Sequence, residues 1–146
     1  MLSSVQIAQI YRYDPAPAIP IPFFDGRIPA GFPSPADDYL DSALDLNDLL
    51  VEHPVATFYI RVQGDSMEGA GIHCGDILVV DRALEPRHNH IVVAAIDGEF
   101  TIKRLRTQAD GVHLVAENPA MRSIKVGEGR QFEVWGVVTY AIHQIK

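Results

Sequence analysis

Ile91-Val92-Val93-Ala94-Ala95-Ile96-Asp97-Gly98-Glu99-Phe100-Thr101-Ile102-Lys103-Arg104-Leu105-Arg106 is the stretch whose reading decides the fold. Two runs rich in β-branched and aromatic residues flank Asp97-Gly98, a pair that tolerates positive φ and so suits a two-residue hairpin turn. The segment predicts one β-hairpin. Similar short runs, separated by Gly, Asp, Asn and Pro, predict strands near residues 56–63, 77–82, 112–116 and 132–142. The body after Pro54 is therefore expected to be mainly β.

Upstream of that body the composition changes. Seven of the ten prolines lie between Pro15 and Pro35. Proline fixes φ, removes an amide donor and pushes the residue before it toward extended geometry, so neither a long helix nor a central strand is expected there. The stretch reads as an extended arm. From Pro33 to Ile60 there are six acids (Asp37, Asp38, Asp41, Asp45, Asp48 and Glu52) and no Lys or Arg. This window opens on Ser34-Pro35-Ala36-Asp37, an N-cap serine, a proline at the first helical position and an acid where the dipole favours it. With Leu40, Leu44, Leu46, Leu49 and Leu50 at roughly helical spacing, it predicts a short helix ending before Pro54, its acids on a solvated face.

The chain has 146 residues and a net charge of -7, with 47% hydrophobic and 21% charged residues. These values fit one globular domain and exclude a surface matched to a phosphate backbone, so direct DNA binding is not expected. The single Cys74 cannot form an internal disulfide and reads as a packed small residue. No apolar run approaches the roughly 18 residues of a membrane helix, and residues 1–13 lack the features of a secretory signal. The expectation is a cytoplasmic protein.

Chemistry is suggested at two places. Gly64-Asp65-Ser66-Met67 follows directly on a predicted strand and precedes Gly69 and Gly71. A sharp bend there would expose the Ser66 hydroxyl and leave backbone amides for an oxyanion, although most such tripeptides are plain turns. A serine nucleophile needs a base. In the 99–105 run, strand alternation puts Thr101, Lys103 and Leu105 on one face, so Lys103 can be desolvated and the Thr101 hydroxyl can orient its amine. Acting near pH 7 requires its pKa to fall by about 3 units from a reference near 10.4, equivalent to about 4 kcal/mol that burial must supply. The structural alternative is an edge-strand lysine with its head in water. His88 and His90 lack a third metal ligand and read as turn residues, Arg104 and Arg106 read as surface charges, and His113 and His143 show no carboxylate at useful spacing. No metal or small-molecule cofactor is implied.

Taken in order, Ala30-Gly31-Phe32-Pro33-Ser34-Pro35-Ala36, Gly64-Asp65-Ser66-Met67, Gly71-Ile72, Gly75-Asp76-Ile77-Leu78-Val79-Val80-Asp81 and Phe100-Thr101-Ile102-Lys103-Arg104-Leu105 resemble the UmuD family of SOS mutagenesis proteins, MucA-like members included. These are related to the self-cleaving domain of LexA. The resemblance implies a LexA/UmuD-type β-rich peptidase domain over residues 31–146, preceded by a removable proline-rich arm over residues 1–30. It implies Ser66 as nucleophile, Lys103 as base, the amides of Asp65 and Ser66 as oxyanion donors, and autoproteolysis at the Ala30-Gly31 bond. It also implies stimulation by a RecA filament on single-stranded DNA, a homodimer, and partnership with a UmuC-like Y-family polymerase in translesion synthesis. The competing reading from a different class is a noncatalytic β-rich module that binds proteins through its arm and acidic helix.

Overall fold

The computed structural model describes residues 6–12, 21–24, 40–120, 122–127 and 129–146. The strands are β1 (Gln6–Arg12), β2 (Ile21–Phe24), β3 (Leu40–Leu44), β4 (Thr57–Gln63), β5 (Ile77–Asp81), β6 (Ile91–Ile96), β7 (Glu99–Gln108), β8 (Gly111–Val115), β9 (Ile124–Lys125) and β10 (Phe132–Ile142). Among the described residues there is one α-helix, α1 (Leu46–Leu50). The chain divides into two compact units, Met1–Tyr13 with His53–Lys146, and Asp14–Glu52.

The larger unit is an eight-stranded antiparallel sheet in the order β1-β4-β5-β10-β6-β7-β8-β9. The expected hairpin lies within it. Asp97 (φ 50°) and Gly98 (φ 84°) both adopt the left-handed turn conformation, and β6 and β7 pair without a break from Ile91↔Arg104 to Ile96↔Glu99. Because β6 alternates, Val93 packs with Ile102, Ile60, Val62, Met67 and Leu78 in one apolar cluster, while Val92 and Ala94 join Leu105, Leu114 and Val137 in a second. The hairpin therefore buries residues in both clusters. β10 is long enough to bridge the sheet, pairing with β6 over Phe132–Val137 and with β5 over Val137–Ile142. Its register shifts between Val134 and Gly136. A Cβ on Gly136 would lie 2.6 Å from Val80 Cγ1, so the close approach of β10 to β5 requires glycine there.

The smaller unit pairs β2 with β3 and ends in α1. Here the helix expectation is corrected. Leu40–Leu44 is a strand, and only Leu46–Leu50 is helical, capped by the Asp45 carboxylate, which accepts the Asn47 N–H at 3.0 Å. Leucines four apart satisfy an even strand period as well as a helical one, and a strand partner about twenty residues earlier decided between them. Ser34–Asp37 and the Ala30-Gly31 bond lie outside the described residues, so the boundary expected at residue 30 does too. Part of the expected arm is a strand of the main sheet: β1 pairs with β4 at the sheet edge. Among the described residues no helix is long and apolar enough to cross a membrane.

Candidate active site

Ser66 lies in a loop that leaves β4 and returns to β5. Gly64 (φ 102°) makes the bend that β4 cannot continue through, and a single 3-10 turn follows at Glu68–Ala70. The Glu68 N–H donates to Asp65 O, and the Ala70 and Ile72 N–H groups both donate to Met67 O. The two ends of the loop are tied together by Val62 N–H to Asp76 O and Gly75 N–H to Val62 O, each 2.8 Å. Asp76, itself buried, fixes the return: its carboxylate accepts the His73 N–H at 2.8 Å and meets His143 Nδ1 at 2.6 Å. Ser66 and Met67 are fully buried, which corrects the expectation of an exposed Ser66 hydroxyl: the loop folds back on the sheet, and Met67 joins the apolar cluster of Ile60, Val62 and Leu78.

Lys103 lies on β7 in register with Val92 of β6. It is only 3% exposed. Burial lowers its pKa from 10.5 to about 8, because a desolvated ammonium is disfavoured relative to the neutral amine. Thr101 lies on the same face, as alternation requires, and is also buried. No hydrogen bond joins the two: neither Thr101 Oγ1 nor Lys103 Nζ has a hydrogen-bond partner among the described residues. A buried, unpartnered amine costs stability, and such groups concentrate where chemistry needs them.

Two connections link the serine loop to the lysine strand, one apolar and one a polar relay through Glu117 and Arg104. Met67, next to Ser66, and Ile102, next to Lys103, share one apolar cluster. The Gly69 N–H donates to Glu117 O at 2.9 Å, so close that a Cβ on Gly69 would sit 2.5 Å from that oxygen. The Glu117 carboxylate in turn pairs with the Arg104 Nε, while Arg104 Nη1 reaches Asn89 O at 2.7 Å. Arg104 is thus part of a strut beside Lys103 and not simply a surface charge.

Other expectations divide. His88 and His90 serve turns, their Nδ1 atoms accepting the Thr107 and Arg87 N–H groups. His113 and His143, expected to lack carboxylates, have them: Asp110 at 3.0 Å and Asp76 at 2.6 Å. Asp110 is three residues from His113, and its hydrogen bond to that ring holds its carboxyl below the usual range. Asp76 lies 67 residues from His143, beyond any local pattern. Cys74 is exposed, not packed. Glu117 and Arg104 gave no sequence signal, because their pairing depends on how β7 and β8 align.

The family model described as Peptidase S24-like matches residues 22–139. The chain belongs to the S24-like peptidase family. Within it, the chain falls on the UmuD/MucA branch. It is 45% identical to the protein ImpA of Escherichia coli over 126 residues, covering 86% of this chain and 85% of that protein. It is 43% identical to MucA of Escherichia coli over 130 residues, 84% of each. LexA repressor 1 of Xanthomonas campestris is 42% identical over 120 residues, 82% of this chain but 59% of the repressor. Membership carries the general class of function, an S24-type serine peptidase of the SOS mutagenesis response.

Proposed function

We propose that the chain is a UmuD-like accessory protein of translesion synthesis that cuts its own Ala30-Gly31 bond, with Ser66 as nucleophile and Lys103 as general base. The observation that carries this reading is the buried, unpartnered Lys103 amine with its pKa of about 8, on a chain of the S24 family. A lysine in that state is a competent proton acceptor close to neutrality.

Neutral Lys103 takes the Ser66 hydroxyl proton as Oγ attacks the Ala30 carbonyl carbon. Backbone amides of Asp65 and Ser66 stabilise the oxyanion. As the C–N bond breaks, the Lys103 ammonium gives its proton to the Gly31 nitrogen. The Ala30 ester on Ser66 is then hydrolysed by water whose proton Lys103 accepts, which regenerates the hydroxyl and frees the arm. A RecA filament on single-stranded DNA would stimulate the cut, and the shortened homodimer would serve a UmuC-like Y-family polymerase. The DNA contacts fall to those partners, in keeping with the net charge of -7.

The test is incubation with RecA assembled on single-stranded DNA. Wild type should be shortened while Ser66→Ala and Lys103→Ala stay whole. Cleavage of the alanine variants at the wild-type rate would remove both residues from the mechanism, and an intact wild type would favour the noncatalytic binding module.

A further inference from the structure

Among the described residues, the N-terminal strand β1 is hydrogen-bonded to β4 alone and ends the main sheet, although it also passes close to β7. Six residue pairs hold it, from Gln6↔Gln63 to Arg12↔Phe58, with one register shift after Ile7. The inner side of β4 is taken by β5 over Thr57–Arg61. In an antiparallel ladder the amides and carbonyls of a strand alternate between its two neighbours, so β4 directs about half of its backbone polar groups at β1. β4 cannot move away to satisfy them otherwise, since Thr57, Ile60 and Val62 are core residues. An uncovered β4 edge is a template for another extended segment.

β1 precedes Ala30-Gly31 in the chain, whereas β4 follows it. While the chain is whole, the 44 residues between them keep β1 near β4, so its docking is an intramolecular event that a free peptide must match by concentration. After the cut that tether is lost, and a seven-residue strand must hold on as a separate molecule. We propose that the outer edge of β4 is a strand-docking site that β1 occupies as a detachable cap, and that cleavage turns this cap from a tethered strand into an exchangeable peptide ligand. The regulatory consequence rests on the self-cleavage reading; the docking site itself does not. Its occupant is the chain's own Gln6–Arg12 segment, the strand that pairs there among the described residues.

The test uses the full chain carrying Ser66→Ala, with a recognition sequence for an external site-specific protease placed at the Ala30-Gly31 bond. Nicking then requires no self-cleavage. Amide hydrogen exchange is followed in β4, with the β6–β7 hairpin as the internal check on folding. A fluorescent synthetic peptide of residues 4–14 is the probe. Before nicking, the peptide should not bind and the outward β4 amides should be protected. After nicking and dilution, the arm should leave, those amides should exchange at least tenfold faster, and added peptide should restore protection while its Ile10→Pro form does not. Unchanged β4 protection after the arm has gone would overturn the proposal. So would loss of protection in the hairpin, which would make β1 an integral strand. Protection regained by raising the body's own concentration would assign the edge to a second copy. If wild type fails to cut itself while the nicked variant behaves as described, the docking site stands and the self-cleavage reading falls.

Discussion

Raising the pH from 7 to 9 on the full-length protein alone should speed self-cleavage about tenfold and then stop helping. The magnitude follows from Lys103. With burial holding its pKa at about 8, roughly one-tenth of the side chain is neutral at pH 7, half at pH 8 and nine-tenths at pH 9. Only the neutral amine accepts the Ser66 proton, so the rate should track those fractions and level off above pH 9. A lysine left at 10.5 would behave differently, with a rise of about a hundredfold between pH 7 and 9 that continues upward. The assay is loss of intact chain on denaturing gels across pH 6.5–10.5, with circular dichroism showing that the fold persists. Val92→Thr sharpens it. Val92 is in register with Lys103 and fully buried, so a hydroxyl there gives the ammonium a hydrogen-bond acceptor and should move the midpoint to higher pH. A rate still climbing log-linearly at pH 10, or one flat from pH 7, would refute the argument that a desolvated lysine sets the rate.

Other outcomes follow from the same geometry. In a Ser66→Ala background, Lys103→Met should stabilise the fold to urea by about 3 kcal/mol at pH 7, the equivalent of a depression from 10.5 to about 8. The sign follows from proton uptake: between those two pKa values the unfolded chain binds more protons, so wild-type stability rises with pH and the variant's advantage should fade by about pH 10.5. An advantage that is absent at pH 7, or constant with pH, would contradict this. Gly69→Ala puts a methyl 2.5 Å from Glu117 O, and should cost about 1–3 kcal/mol by overpacking and slow cleavage by separating the serine loop from the segment that follows β8; unaltered stability and rate would show the strut to be slack. Asp76→Ala leaves the His73 N–H without the acceptor it has now, and should lower stability by about 1–3 kcal/mol while raising hydrogen exchange across residues 64–76 more than in the hairpin.

What could be read from the chain was what neighbours in sequence decide. The Asp97-Gly98 turn, the two strands it joins and the strands at residues 56–63, 77–82, 112–116 and 132–142 carry their own periodicity and turn chemistry, and each is close to its expected place. β3 departs from the expected helix because Leu40 and Leu44 fit two periods at once, and β1 gives no strand signal of its own because its pattern has meaning only beside β4, some fifty residues on. At the site, Ser66 and Lys103 stood out by residue type and by family resemblance. The groups that support their segments did not. Glu117, Arg104, Asp76 and His143 meet across 13 to 67 residues, and no local pattern marks which charge will find which partner. The burial of Lys103 is intermediate: alternation places it on an apolar face, but the packing of Val92 and Leu105 alongside it depends on sheet order.

The most direct measurement is intact mass of the products after prolonged incubation of the purified protein at pH 9, beside Ser66→Ala and Lys103→Ala. The account predicts two wild-type fragments, residues 1–30 and residues 31–146, and no cleavage in either variant. A cut at any other bond, or the same two fragments from either alanine variant, would contradict it.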